Sequence, residues 1–380
     1  MSDSYSEVSY RGLGDNLVDS IKGVLVGIVL FVVSFPVLWW NEGRTDMSNV
    51  AKKAVVVKAD GSDKASGEGK LIAVTSELKP EGTLSDPDFI KPGPYVSLRR
   101  EVEMYAWVET VTKKEEKKLG GGTKVTKTYT YDKKWTSHPE DSSEFHVPEG
   151  HENPPLTVRG QSWSADKAYV GAYSFAASSV QLPPARPLSL DASKLVGARG
   201  RKDGEYVFIG RGGGVTDPRL GDVRIAWRAV EGGRKVTLYG QGSGTEVVAY
   251  MYKGEDKLHR VVDGTHEEAI ATLKSEHNMI TWILRIVGFL MMWFGLALVL
   301  GPINAVLDII PFLGSAGRAL TGIALFPIAL VLTGLTIIVS IVAHSPILLV
   351  VVIAVFAGAA GFWIKTRSAK KKAAAAGGAK

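Results

Sequence analysis

Four stretches of the chain are apolar over about 20 residues, the length that a helix needs to cross a bilayer. They predict transmembrane helices over residues 21–40, 279–303, 319–343 and 346–364. Within the bilayer every backbone polar group has to be satisfied internally, which favours helices over irregular segments. His344-Ser345-Pro346 predicts a tight turn between the last two helices.

The first apolar stretch has the flanks of an uncleaved anchor rather than of a signal peptide. A signal peptide has a basic start, a shorter apolar run and a small-residue cleavage site. Here the stretch ends in Trp39 and Trp40, which suit the membrane interface, and no such site follows. The preceding charged residues are mainly acidic: Asp3, Glu7, Arg11, Asp15, Asp19 and Lys22.

Between the first two predicted helices, residues 41–278 show the period-two alternation of β-strands. One apolar face within Val96–Thr112 is formed by Val96, Leu98, Val102, Met104, Ala106 and Val108. A second alternating set starts at Val125, and a loop over residues 113–124 makes the two runs a predicted hairpin. The fold class is therefore an integral membrane α-helical protein with four spans plus an extramembrane α+β domain, mainly antiparallel β-sheet.

Three further elements are predicted in this domain. Val223–Trp227 and Val236–Tyr239 flank a Gly-Gly turn and predict a second hairpin. Leu190–Val196 is compatible with a short helix. Thr265 and Glu268 form a capping box, from which a helical pattern continues into the second span as a stalk.

Residues 304–318 are too polar to span a membrane and too apolar for an ordinary loop. Two alternatives fit them: an amphipathic segment on the cytoplasmic interface, or a re-entrant turn broken at Pro311. The final residues 365–380 form a basic, low-complexity tail. Its lysines would be attracted to anionic membrane lipids.

Charge distribution predicts the orientation. The formal net charge of +6 is less informative than its location, because basic short segments stay cytoplasmic. The basic tail therefore lies inside, and with four spans residues 1–20 lie inside too. Residues 41–278 then lie outside the cytoplasm, in the periplasm of a bacterial inner membrane or in the lumen of the endoplasmic reticulum or nuclear envelope.

The search for chemistry gives no catalytic, cofactor or metal residues. The chain has no Cys, and His266-Glu267-Glu268 lacks the second His of a zinc peptidase helix. Gly210–Gly214 is followed by no helix and no Lys-Ser/Thr pair, so a turn fits better than a phosphate cradle. His138, His146 and His151 are spaced more widely than usual metal pairs. The sequence predicts a protein that is not an enzyme and that does not bind nucleic acid.

The predicted spans carry no carboxylate or His in their middles, which disfavours a transporter. Arg285, near the start of the second span, is predicted to snorkel outward. Small residues at four-residue spacing allow close helix approach, either within one chain or between copies. The candidate helix-packing residues are Gly23, Gly27, Ala354, Gly358 and Gly361.

Several short motifs resemble the LUMA family, also called transmembrane protein 43, in the same order over nearly the whole chain. They are Asn41-Glu42-Gly43-Arg44, Leu84-Ser85-Asp86-Pro87, Leu98-Arg99-Arg100 through Trp107-Val108-Glu109, Tyr129-x-Tyr131 with Trp135, Gly150-His151-x-Asn153-Pro154 and Gly221-Asp222-Val223-Arg224. The family's animal members are endomembrane proteins that self-associate and bind emerin and lamins. The resemblance implies no catalytic residue.

Two groups of residues match the family pattern and are the candidate interaction residues: Asn41, Glu42, Arg44, Arg99, Arg100, Glu103, Tyr105 and Trp107. Interface anchoring and cross-strand pairing are their structural alternatives. The absence of Cys and the Ala/Gly-rich lysine tail are typical of a bacterial member, in which nuclear partners have no counterpart.

The predicted function is a non-enzymatic, self-associating membrane scaffold or organiser, whose outer domain presents an interaction surface near the membrane. Membrane lipids, a second copy and other membrane proteins are the expected partners. The alternative is a lipid-binding module or a partner of a membrane lipid-modifying enzyme, and a transporter ranks last.

Overall fold

The structure is a computed structural model that describes residues 3–118, 122–197, 199–254, 256–301, 303, 311–351 and 354–355. The chain divides into two compact units. The sheet unit comprises residues 1–9, 46–115 and 125–277, and the helical unit comprises residues 10–45, 116–124 and 278–380. Each unit has its own core.

Helices in the described residues are α1 (Leu13–Gly43), α2 (Met47–Ala51), α3 (His266–Val299) and α4 (Pro311–His344). Short 3₁₀ turns lie at Lys64–Gly67 and Ser142–Glu144. The first ten strands are β1 (Asp3–Arg11), β2 (Val55–Val57), β3 (Leu71–Pro80), β4 (Leu84–Asp86), β5 (Ile90–Gly93), β6 (Tyr95–Lys117), β7 (Thr123–Thr136), β8 (Gln161–Ser164), β9 (Lys167–Val170) and β10 (Tyr173–Ala176). The remaining strands are β11 (Arg186–Pro187), β12 (Arg201–Asp203), β13 (Tyr206–Ile209), β14 (Val223–Glu231), β15 (Lys235–Ser243), β16 (Glu246–Val248), β17 (Tyr250–Tyr252), β18 (Asp256–Leu258) and β19 (Arg260–Asp263).

Three helices of the described residues, α1, α3 and α4, are long and apolar enough to cross a membrane. They match the first three predicted spans. The fourth prediction, residues 346–364, falls mainly outside the described residues, of which 346–351 and 354–355 are helical. The helix is interrupted at Ser345, where the turn is predicted, and the Ser345 carbonyl accepts the Leu349 N–H at 2.9 Å.

The segment predicted over residues 304–318 is only partly described. Residues 304–310 lie outside the described residues, whereas residues 311–318 belong to α4. The helix thus begins at Pro311, before the predicted start at residue 319. Pro suits a first helical position because the N–H that it lacks has no partner there.

The first sheet of the sheet unit has eight strands in the order β1-β7-β6-β14-β13-β12, with β8 paired to β6 and β11 to β14. Antiparallel pairing joins β14 to β6 from Val223↔Met104 to Glu231↔Tyr95. The predicted alternation on β6 is confirmed, because Val96, Leu98, Val102, Met104 and Ala106 are buried. This inner face packs into a core around Trp227.

The second sheet has seven strands, of which β3, β15, β16, β10 and β9 pair in a closed ring. Alternate residues of β3 point to opposite sides, so each face of the strand is buried in a different core. Ile72 and Val74 pack inside the ring, and Leu71 and Ala73 pack against α2 and the start of α3. The predicted mainly antiparallel sheet is confirmed, with parallel pairing of β2 to β3 and β10 to β16.

The predicted hairpin of β14 with β15 is wrong. These consecutive strands belong to different sheets. At their connection the Gly232 N–H donates to the Pro94 carbonyl at 2.7 Å, and the Gly233 N–H donates to the Leu78 carbonyl at 2.9 Å. The turn is therefore held by other strands, and alternation within a strand does not identify its partner.

The predicted helix over residues 190–196 is also absent. Asp191 accepts hydrogen bonds from the backbone N–H groups of Ser193 and Lys194 at 2.8 and 3.1 Å, which form a local turn. Leu195 then pairs with Ile90 as an isolated bridge. Asp competes for backbone groups in this way and so favours turns over helix interiors.

Residues 3–9 lie in the sheet unit, where β1 is the edge strand beside β7. The sequence predicts residues 1–20 on the opposite side of the membrane from residues 41–278. A helix that crosses a bilayer once separates its two ends, so this pairing and the predicted sidedness exclude one another. The sidedness itself stays a prediction.

Candidate functional site

A polar groove of about 840 Å³ lies on the outward face of the first sheet. Its floor is formed by neighbouring strands, because Glu103 lies opposite Arg224 on β14, and Arg99 lies opposite Ser162 on β8. Two predicted interaction residues, Arg99 and Glu103, line the groove with their side chains. Arg99 is 67% exposed and lies 3.8 Å from the Glu101 carboxylate, which leaves its guanidinium available to a partner.

Arg100 also borders the groove, but its side chain points into the core and is only 6% exposed. Its Nη1 donates to both carboxylate oxygens of Asp86 at 3.0 and 3.1 Å, and its Nε donates to the Arg159 carbonyl at 3.0 Å. Trp227 donates its indole N–H to the same carboxylate at 3.0 Å. Arg100 is therefore a structural residue beneath the groove rather than a contact residue.

One end of the groove is bounded by a second, half-buried ion pair. The Nε of Arg224 donates to Glu103 at 2.5 Å. The same guanidinium lies over the rings of Trp135 and Tyr206, at 4.7 and 4.8 Å from their centroids. A cation held by a carboxylate and two aromatic faces has little freedom to move. This end of the groove is rigid.

Tyr105 and Trp107 continue the same face of β6 beyond the groove. The Tyr105 ring lies 5.5 Å from the Trp135 ring, and the Trp107 backbone exchanges two hydrogen bonds with the Asn153 amide. Trp107 also contacts His151 edge-on at 4.7 Å between centroids. The structure thus separates the predicted strand residues into groove residues, a buried ion pair and an adjoining aromatic cluster.

The three histidines considered as metal ligands are held apart by different partners. His151 stacks on Tyr131 at 4.0 Å, His146 stacks on Tyr129 at 3.9 Å, and His138 contacts Ser137. Burial and a hydrogen bond to Glu109 raise the pKa of Tyr131 to about 12. Its hydroxyl therefore stays protonated and donates to Glu109 at 2.6 Å.

Asn41 and Glu42 form a second candidate site in the helical unit, at the end of α1. Arg285 of α3 donates from Nε and Nη2 to the two oxygens of Glu42, at 2.8 and 2.7 Å. The Asn41 amide donates to Glu42 at 3.2 Å and to the Thr281 carbonyl at 3.1 Å. The charge of Arg285 is matched by Glu42, and the snorkelling of Arg285 stays a prediction.

Arg44 lies outside this ion pair, with its guanidinium 5.9 Å from the centroid of the Trp40 ring. Gly27 packs closely against α3 within one chain. A Cβ at Gly27 would lie 2.8 Å from the Gly295 carbonyl oxygen, and Gly23 is next to Leu298. Ala354 is helical, whereas Gly358 and Gly361 lie outside the described residues.

Several residues of these sites were not predicted as site residues, although two of them, Asp86 and Arg224, stand in the family motifs. They are Asp86, Gln161, Tyr206, Arg224, Trp227 and Arg285 as a partner of Glu42. For Asp86, the sequence did contain a signal that Arg100 needs a buried acidic partner. Arg100 has the same parity as Leu98 and Val102, which places it on the inward face and so demands an acidic partner.

Comparison with known proteins assigns the family. Residues 104–346 match the family model described as Transmembrane protein 43. Rat Transmembrane protein 43 is 28% identical over 318 residues, which cover 79% of each chain. The human protein of that name is 29% identical over 326 residues, covering 80% of each chain. The Drosophila melanogaster homologue is 26% identical over 286 residues, covering 71% of this chain and 74% of its own.

No solved structure matches the chain. The matched region includes β6 from Met104 onward, directly after the groove residues Arg99 and Glu103, and all of α3 and α4. It covers more than half of the chain, and the alignment with the rat protein covers 79% of it. The chain belongs to the transmembrane protein 43 family.

Proposed function

We propose that this protein is a non-enzymatic, self-associating membrane scaffold whose sheet unit uses the polar groove to hold a partner protein. The groove is the single observation that carries the proposal. It offers an exposed cation at Arg99 beside a rigid end formed by Arg224 and Glu103. Charges of both signs at fixed positions give specificity to protein–protein contacts.

The polar lining of the groove favours a protein partner over a lipid ligand. Small-molecule and lipid sites are mostly apolar concavities that enclose the ligand. This groove is lined mainly by charged and polar residues, with Val102, Leu156 and Ala226 as its aliphatic side chains. A polar loop or strand of another protein matches such a surface better than an acyl chain does.

A site-specific photocrosslinker at residue 99 tests the proposal, and a crosslinker at residue 79 provides the matched control. The side chains of Arg99 and Lys79 are each 67% exposed, and Lys79 lies outside the groove. In native membranes we expect protein adducts, from a second copy or another membrane protein, at residue 99 and few at residue 79. Equal labelling at both residues, or lipid adducts alone, would contradict the groove as a protein site.

Self-association needs its own measurement, because the packed Gly27 seam joins α1 to α3 inside one chain. Native mass spectrometry from nanodiscs should detect oligomers of the full chain, and Arg99→Glu should reduce them if the second copy is the groove partner. Unchanged oligomers would assign the groove to a different protein. A monomer in native membranes would refute the self-associated scaffold.

The proposed topology has four spans, with residues 346–364 as the fourth and the basic tail in the cytoplasm. Its support is the charge of residues 365–380, which carry only basic charges. Reporter fusions at Asp60 and Lys380 should lie on opposite sides of the membrane. Finding both on one side would refute the four-span topology.

A lipid-binding role is the second candidate, and one observation favours it. An apolar groove of about 560 Å³ lies between α1 and α4, beside Pro36, which lies inside α1. Its lining residues are Phe35, Pro36, Trp39, Leu332, Leu335, Thr336 and Val339. A lipid that is retained through purification of the protein and is lost in Leu335→Trp would support lipid binding here over the binding of a partner protein in the polar groove.

A further inference from the structure

Two exposed arginines face one another directly across a strand pair at one end of the polar groove. Arg99 of β6 lies opposite Arg228 of β14. Their strand neighbours Leu98 and Trp227 are buried, so both arginines point outward, to the face that carries the groove. Like charges directly opposite one another destabilise an antiparallel pair. This juxtaposition costs stability unless an anion lies between the two guanidiniums.

The other end of the same strand pair shows how this sheet neutralises an arginine for structural purposes. Arg224, on the same face of β14 as Arg228, lies opposite Glu103 and donates to it at 2.5 Å. By contrast, no described residue forms a hydrogen bond, an ion pair or a ring contact with Arg228. Arg99 has one ionic neighbour, the Glu101 carboxylate, which at 3.8 Å is too far for a hydrogen bond. Both guanidiniums therefore have unused donors.

Serine hydroxyls lie beside this arginine pair on β6 and β8. Ser162 lies opposite Arg99, and Ser164 lies opposite Ser97 on the same face. Among the described residues, none of these three hydroxyls has a hydrogen-bond partner. Guanidinium and hydroxyl groups both donate hydrogen bonds. Donors from three adjacent strands, β8, β6 and β14, thus meet on one surface, an arrangement that suits an oxyanion.

We infer that Arg99 and Arg228 form a carboxylate-recognition site, at which the partner segment held in the groove presents an acidic side chain. The inference rests on the proposed function, because the groove supplies the remaining contacts with that segment. A guanidinium binds a carboxylate through two parallel hydrogen bonds. A carboxylate between Arg99 and Arg228 also offsets their mutual repulsion. The partner is therefore a protein with an exposed acidic residue in a polar segment.

The lining beyond Arg99 favours a protein over an acidic lipid as the source of this carboxylate. From Arg99 the groove continues along Gln161 and Glu103. The acyl chain of a lipid would cover these polar groups without offering them hydrogen bonds, which is costly. The backbone and side chains of a polar peptide can form such bonds.

Ligand-detected NMR tests the recognition with a defined probe, a Gly-Glu-Glu-Gly peptide blocked at both ends, on the full chain in zwitterionic nanodiscs. We expect saturable binding that a matched Gly-Gln-Gln-Gly peptide lacks and that weakens as the salt concentration rises. Arg228→Gln should weaken binding about three- to tenfold, between the values for exposed and for buried charged pairs. Equal binding of the two peptides would overturn the site.

Two further variants separate local recognition from net charge. Glu101→Gln should tighten binding, because it removes the carboxylate 3.8 Å from Arg99. Lys79→Gln removes a 67% exposed cation outside the groove and should leave binding unchanged. Equal weakening by Lys79→Gln and Arg228→Gln would show an effect of net charge alone and would also overturn the site.

Thermal unfolding shows whether Arg228 has a structural role instead. Arg228→Gln removes one of two opposed like charges, so the melting temperature of the sheet unit should stay the same or rise. A lower melting temperature would show that Arg228 stabilises the fold, and would count against a ligand site.

The photocrosslinker at residue 99 distinguishes failure of this inference from failure of the proposed function. Protein adducts there, together with equal binding of the two peptides, would keep the groove as a protein site and refute the acidic requirement. Binding of the acidic peptide without protein adducts would refute the protein partner in native membranes and support the recognition chemistry. Lipid adducts alone would assign the anion to a headgroup and overturn the inference.

Discussion

Each unit of the molecule holds a largely buried arginine–carboxylate pair, and the two pairs differ in how they are enclosed. In the sheet unit, Arg100 and Asp86 are 6% and 0% exposed. In the helical unit, Arg285 and Glu42 are 23% and 5% exposed. Both pairs use two hydrogen bonds between guanidinium and carboxylate.

The neighbours of the two pairs explain the difference. The Arg100 guanidinium lies between the rings of Phe89 and Trp163, at 5.3 and 5.5 Å from their centroids, and reaches Gln161 as well. Arg285 has one ring, Trp282, at 5.0 Å. The first pair is therefore fixed from every side by the sheet, whereas the second is open along one side. Removing one partner should therefore lower the free energy of unfolding more for the Arg100–Asp86 pair than for the Arg285–Glu42 pair.

The largest effect is expected for Asp86→Ala. It leaves the Arg100 guanidinium buried without its carboxylate and takes the acceptor from the Trp227 indole. Breaking a buried pair in this way costs about 3–5 kcal/mol. Thermal unfolding followed by near-UV circular dichroism should show the sheet unit melting about 10 °C lower.

The control for this change is Glu101→Ala. Its partner Arg99 lies 3.8 Å away with 67% of its side chain exposed, and surface pairs contribute less than about 1 kcal/mol. Equal losses from Asp86→Ala and Glu101→Ala would show that enclosure does not set the strength of these pairs.

Glu42→Gln should have the next largest effect, about 1–3 kcal/mol, because the glutamine keeps the shape but leaves Arg285 with a neutral acceptor. The measurement is the loss of helical circular dichroism on heating the detergent-purified chain. Lys22→Gln provides the control on the same helix, since Lys22 is 73% exposed and lies 3.8 Å from Asp19. A smaller loss for Glu42→Gln than for the control would contradict the importance of the pair.

The two pairs also show what the sequence can predict. The parity of Leu98, Arg100 and Val102 places Arg100 inside the sheet, so a single strand contains that information. No local pattern identifies Asp86 as its partner, since β4 and β6 meet only in the folded sheet unit. The pairing of Glu42 with Arg285 likewise depends on the approach of α1 to α3, which periodicity does not specify.

For the strands and helices too, the sequence predicts where elements lie but not which elements pair. Alternation located β6, β7, β14 and β15, and apolar length located α1, α3 and α4. The partner of β14 was predicted wrongly, because a short Gly-Gly connection usually closes a hairpin, and here its amides bond to Pro94 and Leu78. The groove is formed by four paired strands, so the sequence could not predict it. It predicted only residues that line it, such as Arg99 and Glu103.

His259 adds a pH-dependent effect that belongs to the sheet unit alone. It is 6% exposed, and burial lowers its pKa. As the pH falls through the ordinary histidine range, the unfolded chain binds a proton that the folded chain resists, so stability is lost on acidification. The slope is at most about 1.4 kcal/mol per pH unit.

The measurement is the melting temperature of the sheet unit between pH 7.5 and pH 5, a range chosen to bracket the ordinary pKa of about 6.5. His259→Gln should flatten the dependence, because glutamine does not titrate. An unaltered slope in His259→Gln would assign the acid sensitivity to another group.

The smallest effect is expected at the start of α3, the helix that carries Arg285. The Thr265 N–H donates to Glu268 at 2.7 Å, and the Glu268 N–H donates to the Thr265 hydroxyl at 3.3 Å, so the predicted capping box is confirmed. Thr265→Ala should cost about 1 kcal/mol, because the Glu268 N–H then has only water as a partner. Thr272→Ala, on the same helix, serves as the control, since its hydroxyl bonds only to the Glu268 carbonyl at 3.0 Å. Hydrogen exchange of the backbone amides in β3, β15 and β19 follows the sheet unit, and far-UV helical signal follows the bundle. A loss confined to the sheet unit would show that the two halves of α3 are energetically separate. Equal losses in both signals would show that the helix transmits the change to the Glu42–Arg285 pair, and the two ion pairs would then no longer be independent.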